Sequence, residues 1–186
     1  MATVRAALDR LGDLDAALAN AAASIAQSFR TGGTLLAAGN GGSAAEAQHL
    51  TGELVGRLSA TRERSGLPAV ALHADTSVLT AVANDYGFER VFARQVEALG
   101  RAGDVLVVLS TSGSSANLVA AVDAAEQRDV ISVGLLGGTP RALHERCTHV
   151  LAVPCDDQQA VQVCHLVLVH ALVEMVEDAL LVPEAP

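Results

Sequence analysis

The stretch Leu35-Leu36-Ala37-Ala38-Gly39-Asn40-Gly41-Gly42-Ser43, running on into Ala44-Ala45-Glu46-Ala47-Gln48-His49-Leu50-Thr51-Gly52-Glu53, decides how this chain folds. A short apolar run stops at a glycine-rich turn, and a helical pattern begins at Ser43, a residue type suited to N-capping. That order puts backbone N–H groups and the positive end of a helix dipole where an anion can sit. Past the cap, His49 and Glu53 stand four residues apart, so both side chains leave the same helix face. A binding turn and a reactive pair come from one local unit.

Working outward, Leu8, Leu11, Leu14, Leu18, Ala21, Ile25 and Phe29 recur at helical steps, which predicts one amphipathic helix over 3–30 ended by Gly32-Gly33. Strands are expected at 34–38, 68–73, 104–109, 130–135 and 149–153, and helices at 44–58, 76–83, 88–99, from the Ser-rich turn to 127, and at 158–180. A short helix falls between the last two strands, and 183–186 is expected to be a frayed tail. The strands are short, apolar and unalternating, and most are separated by helices. That is the pattern of a three-layer α/β domain, a five-stranded parallel sheet covered on both faces. Ligands in such sheets bind beyond the carboxyl ends of the strands, where both polar turns, 39–43 and 110–115, fall.

Gly39-Asn40-Gly41-Gly42-Ser43-Ala44 formally fits G-x-G-x-x-A, but the acidic residue expected about twenty positions on is missing. A Walker A loop is excluded because no Gly-Lys-Ser/Thr occurs. A purely structural turn remains, and the second turn weighs against it. Ser110-Thr111-Ser112-Gly113-Ser114-Ser115 offers five hydroxyls in six residues at the start of another helix, which suits a phosphate without any Lys or Arg. A solvated Ser-rich loop is disfavoured by its place after a buried strand.

Composition bounds the function. The 186 residues are most simply one domain, 1–186, 51% hydrophobic and 18% charged. Twelve basic against twenty-one acidic residues give a net charge of -9, which argues against nucleic acid and anionic membrane as partners. Cys147, Cys155 and Cys164 form no CxxC pair and suggest a reducing compartment; with no signal-like N-terminus, the expectation is cytoplasmic. The apolar C-terminal segment carries Gln162, His165, His170 and Glu174, so it reads as a buried or oligomer-forming helix rather than a membrane span.

Five motifs in order now carry a resemblance: Gly39-Asn-Gly-Gly-Ser43, Gln48-His49, Glu53-Leu-Val-Gly-Arg57, Asn84-Asp85-Tyr86-Gly87 and Ser110-Thr-Ser-Gly113. With Gln162 and His170 they resemble the phosphoheptose isomerases, enzymes of the sugar-isomerase (SIS) domain family, over nearly the whole chain. The resemblance implies a flavodoxin-like SIS fold and isomerisation of sedoheptulose 7-phosphate to D-glycero-D-manno-heptose 7-phosphate. It implies Glu53 as catalytic base and His170 as acid, with Ser110, Thr111, Ser112 and Ser115 around the phosphate. Asn40, Gly41, Gly42, Ser43, Asn84, Asp85 and Gln162 match substrate-contacting positions, and Arg57 lies near the site. It further implies zinc at His49, Glu53, Gln162 and His170, and a homotetramer whose terminal helices pack together and whose sites are shared between subunits.

The chemistry stands beside this. Moving a carbonyl between C2 and C1 needs a base, a proton donor and something to steady an enediolate. A partly buried carboxylate can be the base, an imidazole can move the other proton, and zinc can polarise the carbonyl. A solvated carboxylate at 53 and a core histidine at 170 are the bland alternatives. His165 and Cys164 read as structural, His73 as a site wall, and Tyr86 and Phe88 as packing. Where the family has Arg-Ile-Gln-Glu, this chain has Ala160-Val161-Gln162-Val163, and Ser114 stands where Asn is usual. A second reading, of another class, is a non-catalytic SIS-fold tetramer that tethers a replication initiator protein. That relative lacks residues matching Glu53 and His170, which this chain keeps.

Overall fold

A computed structural model describes residues 1–181 of the chain, and the tail expected over 183–186 lies outside them. Strand β1 (Leu35–Gly39) is buried along its whole length and sits second in a sheet of order β2-β1-β3-β4-β5. Its neighbours are β2 (Ala69–Ala71) at the edge and β3 (Val105–Ser110), then β4 (Ile131–Leu136) and β5 (His149–Ala152), all parallel. Strands buried on both faces need no polar alternation, so near-continuous Val, Leu and Ala runs become central strands.

Successive side chains still point to opposite faces, and this divides the core. Leu35, Ala37, Val105, Val107 and Leu109 pack under α2 (Asp15–Arg30), α3 (Gly42–Val55) and α8 (Gln158–Leu181), joined by α1 (Ala2–Leu8). Leu36, Ala38, Leu106 and Val108 pack on the other face with α5 (Ala93–Leu99), α6 (Ala116–Glu126) and α7 (Ala142–Arg146). Helix α4 (Thr76–Tyr86) lies on this second face, and none of its residues is fully buried. The order reverses direction between β1 and β3, so their carboxyl-terminal turns open one crevice.

Three local expectations change. The helix expected over 3–30 is broken: α1 ends at Leu8, a 3₁₀ turn covers Leu11–Leu14, and α2 starts at Asp15. Gly12 is a weak helix former, and the tighter turn still lets Leu11 and Leu14 pack against the core. The segment 88–99 likewise splits into a 3₁₀ turn at Phe88–Arg90 and α5. Ser43 does not cap α3: the cap is Gly41, at φ 57, a left-handed value that disfavours any side chain, and Ser43 is buried in the first turn.

Helix α8 is apolar enough to cross a membrane, with a mean hydropathy of 1.5, and half of that window is buried inside the domain. Val161, Leu168, Val169, Leu172, Val173 and Val176 are core residues, whereas Val163, Leu166 and Val167 are exposed. The helix's own Cys164 is a core thiol that burial pushes up, and on the other face of the sheet burial pushes the partly buried Cys147 up to about 12.

Candidate active site

The two turns after β1 and β3 wall a cavity of about 500 Å³ lined by Asn40, Gly41, Gly42, Ser43, Ser110, Thr111, Ser112, Ser115 and Gln162. All nine were expected from the sequence. Leu109, Asp156 and Gln158 line it as well and were not foreseen.

The second turn is pre-shaped. Ser110 Oγ, buried at the end of β3, accepts from Gly113 N at 3.1 Å, and Gly113 takes φ 65. A Cβ at Gly113 would lie 3.0 Å from His144 Cε1, so the turn is glycine-dependent both in conformation and in space. His144 Nδ1 accepts from Arg141 N at 3.1 Å and its Nε2 meets Gly137 O at 2.9 Å, which holds the ring in place behind the turn. The hydroxyls of Ser112 and Ser115 and the N-terminus of α6 then face the cavity, a cradle for an anion. No Lys or Arg lines it.

The reactive pair also forms. His49 Nε2 lies 3.0 Å from Glu53 Oε1, and His170 Nε2, from α8, lies 3.3 Å from the same oxygen and 3.0 Å from His49 Nε2. Residues 121 apart in the chain therefore converge. Glu53 is 14% exposed and its Oε2 is buried without a hydrogen-bond partner, whereas the imidazoles are 43% and 47% exposed.

This triad is also a donor set. Three ligand-type atoms 3.0, 3.0 and 3.3 Å apart match one triangular face of a tetrahedron built on zinc bonds of about 2.0–2.2 Å. An unpartnered carboxylate oxygen and two facing ring nitrogens suit a cation better than they suit one another. Among the described residues this is the one such His/Cys/Asp/Glu cluster. Gln162, expected to join it, lies earlier on α8 with its amide against Gly42: a Cβ there would sit 2.6 Å from Gln162 Nε2.

Family models and known proteins can be set beside this geometry. The SIS domain family model matches residues 1–137. The phosphoheptose isomerase of Rhodospirillum rubrum is 49% identical over 171 residues, 92% of this chain and 90% of that protein. This chain belongs to the phosphoheptose isomerase branch of the SIS-domain family. Solved structures agree with its SIS fold. Phosphoheptose isomerase GmhA from Neisseria gonorrhoeae superposes with a TM-score of 0.88 at 41% identity, over 95% of this chain and 94% of that one. The phosphoheptose isomerase from Francisella tularensis gives 0.89 at 36% identity, over 95% and 93%.

Some expected SIS-site residues are not gathered within one chain. Asn84 and Asp85, bonded to each other at 2.7 Å, lie exposed at the end of α4 and outside the cavity lining. Arg57 is exposed and paired with Glu63. Tyr86 and Phe88, expected to pack, are 55% and 57% exposed, with Arg94 over the Tyr86 ring. His73 sits beside the start of α3 without lining the cavity, and burial lowers it below the usual histidine value. His165, expected to be structural, is fully buried, with Nδ1 3.8 Å from Glu46 Oε2.

Proposed function

We propose that this chain is an aldose–ketose isomerase that interconverts sedoheptulose 7-phosphate and D-glycero-D-manno-heptose 7-phosphate through an enediolate. The observation that carries the reading is the convergence of Glu53 with His49 and His170 on the same two helices that wall the hydroxyl-lined cavity. His49, Glu53 and His170 do not themselves line the cavity; helices α3 and α8 join it to the triad.

In the ketose-to-aldose direction, Glu53 takes a proton from C1 while His170 Nε2 gives one to the C2 oxygen, leaving an enediol. Glu53 then returns its proton to C2 and His170 recovers one from the C1 hydroxyl, leaving the aldehyde. Both imidazoles engage Oε1, and Oε2 is left buried without a hydrogen-bond partner. Ser110, Thr111, Ser112 and Ser115 hold the phosphate, and Asn40, Gly41, Gly42, Ser43 and Gln162 orient the sugar. Zinc would be held by His49, Glu53 and His170, with Gln162 as the fourth member; it would polarise the carbonyl and steady the oxyanion, in place of the proton that His170 Nε2 carries in the metal-free site.

The active unit is a homotetramer. The two imidazoles of the triad are exposed beside an exposed apolar stripe, Val163, Leu166 and Val167, on the same α8 face as His170. An enediolate needs water excluded, and a second copy on that stripe excludes it. Exposed Tyr86 and Phe88 follow Asn84 and Asp85 in the chain, which supports delivery of that pair to a neighbouring subunit's cavity. The scaffold reading finds no support in a chain that keeps the whole triad.

The test is an isomerase assay in deuterated water. Wild type exchanges solvent deuterium into the sugar and turns over; Glu53→Gln keeps its assembly and loses about a thousandfold or more of kcat. Wild-type protein inert on every heptulose and hexulose phosphate tried would hand the case to the scaffold.

A further inference from the structure

Helix α3 is anchored at both ends, and only one anchor belongs to the sugar site. Its N-terminus forms the cavity; its C-terminal turn, which carries Glu53, ends at Val55 with carbonyls that have no helical partner. Arg64 reaches back to them. Its Nη2 donates to Glu53 O at 2.8 Å, and its Nη1 donates to Leu54 O at 2.8 Å and Gly56 O at 3.3 Å. Its Nε donates to Glu177 Oε1 at 2.8 Å. The two side chains are 9% and 1% exposed.

Glu177 is seven residues beyond His170, two turns along the same face of α8. It also accepts from Leu58 N at 3.4 Å. The returning loop is drawn close: Leu67 N donates to Leu54 O at 2.9 Å, and a Cβ on Gly66 would lie 2.8 Å from Val55 O. One guanidinium therefore ties the turn behind Glu53 to the helix that carries His170.

A buried ion pair is a poor way to gain stability, because desolvation offsets its attraction and apolar residues of similar size serve as well. It is a good way to fix a register, since a guanidinium fork demands several acceptors in one geometry. We infer that Arg64, held by Glu177, is a positioning residue that sets Glu53 against His49 and His170. This rests on the reading of Glu53 and His170 given above. The phosphate cradle, at the other end of α3, does not depend on it.

The experiment compares wild type, Arg64→Lys, the double variant Arg64→Met/Glu177→Leu, and Arg62→Ala. Arg62 bridges α8 from the surface through Glu174 and Asp178 and touches none of the α3 carbonyls, so it is the control. Melting temperature, kcat and KM for sedoheptulose 7-phosphate, and Zn²⁺ affinity by competition with a chromogenic chelator are measured on each. Arg64→Lys is expected to melt within a few degrees of wild type, with KM within about twofold and kcat lower by about 10- to 100-fold. Its Zn²⁺ affinity falls about tenfold, as when an outer support of a ligand is lost. The double variant, if it folds, shows the same split, and Arg62→Ala matches wild type.

Unchanged kcat and Zn²⁺ affinity in Arg64→Lys would overturn the inference, as would losses in kcat that track KM and the folded fraction. Were wild type itself inert on heptose phosphates, Zn²⁺ affinity still decides: weaker in Arg64→Lys upholds the clamp, equal sinks it.

Discussion

Asn40 and Asn117 exchange a reciprocal pair of amide hydrogen bonds, Asn40 Nδ2 to Asn117 Oδ1 at 3.0 Å and Asn117 Nδ2 to Asn40 Oδ1 at 2.8 Å. The pair ties the glycine turn after β1 to the first turn of α6, and so fixes the two walls of the cavity relative to each other. Asn117 is buried and does not line the cavity itself. Asn117→Leu leaves the Asn40 amide without its partner at a cost of about 1–3 kcal/mol, which lowers the melting temperature. Because the walls then lose register, KM for the sugar phosphate rises about tenfold while kcat changes less. Steady-state kinetics with a thermal melt checks both; an unchanged KM would mean that the pair serves stability alone.

Gly113 is the hinge of the phosphate turn. Ala at this position meets two penalties, a left-handed φ of 65 and a Cβ 3.0 Å from the His144 ring. The expected cost is about 1–2 kcal/mol from the backbone, plus displacement of the Ser110 Oγ contact to Gly113 N. Gly113→Ala therefore raises KM for the phosphorylated sugar tenfold or more while leaving Zn²⁺ affinity intact, since the triad lies on other elements. Zn²⁺ affinity falling in step with KM would show that the two parts of the site are not separable.

The sheet and both site turns were legible because each is a local pattern: an apolar run, glycines at its end, and a helix starting at once. His49 and Glu53 were legible for the same reason, as a spacing of four on one helix. His170 had no such signal; it sits among Val167, Leu168, Val169, Ala171 and Leu172, and the residues alone favoured a core imidazole. Asn117, Asp156 and Arg64 were not found at all. Each acts through a partner 17 to 113 residues away, Asn40 for Asn117, Thr139 for Asp156 and Glu177 for Arg64, and nothing beside them in the chain marks the contact. The single helix expected over 3–30 failed for a related reason. Leucine periodicity continues through the 3₁₀ turn at Leu11–Leu14, so the pattern survives a break that the backbone makes.

The donor triad makes a prediction about metal. His49→Ala and His170→Ala each remove one corner of a triangle about 3 Å on edge, and each weakens Zn²⁺ binding by about 100-fold or more. Gln162→Ala weakens it less and raises KM as well, because its amide lies against Gly42 in the cavity wall. Chelator competition on the three variants checks the ranking. Equal losses across all three would make Gln162 as strong a ligand as the imidazoles, and no loss in Gln162→Ala would remove it from the donor set.

Stability should fall on the acid side, and His149 gives the sign. Burial lowers both His149 and His73 below the ordinary value of 6.5, so each holds a proton less readily folded than unfolded. Above pH 6.5 both states keep these rings neutral and the two groups contribute no slope. As pH falls through that value the unfolded chain takes up more protons, and stability is lost by at most about 1.4 kcal/mol per pH unit for each ring. His149 Nε2 lies 2.9 Å from Ser24 Oγ, joining β5 to α2, so the ring belongs to the packed face of the sheet. His149→Gln retains a polar partner for Ser24 and cannot titrate. Its melting temperature is expected to drop less steeply than that of wild type between pH 7.5 and 5.5, as read by a thermal melt at each pH. Parallel curves for the two proteins would remove His149 from the acid response.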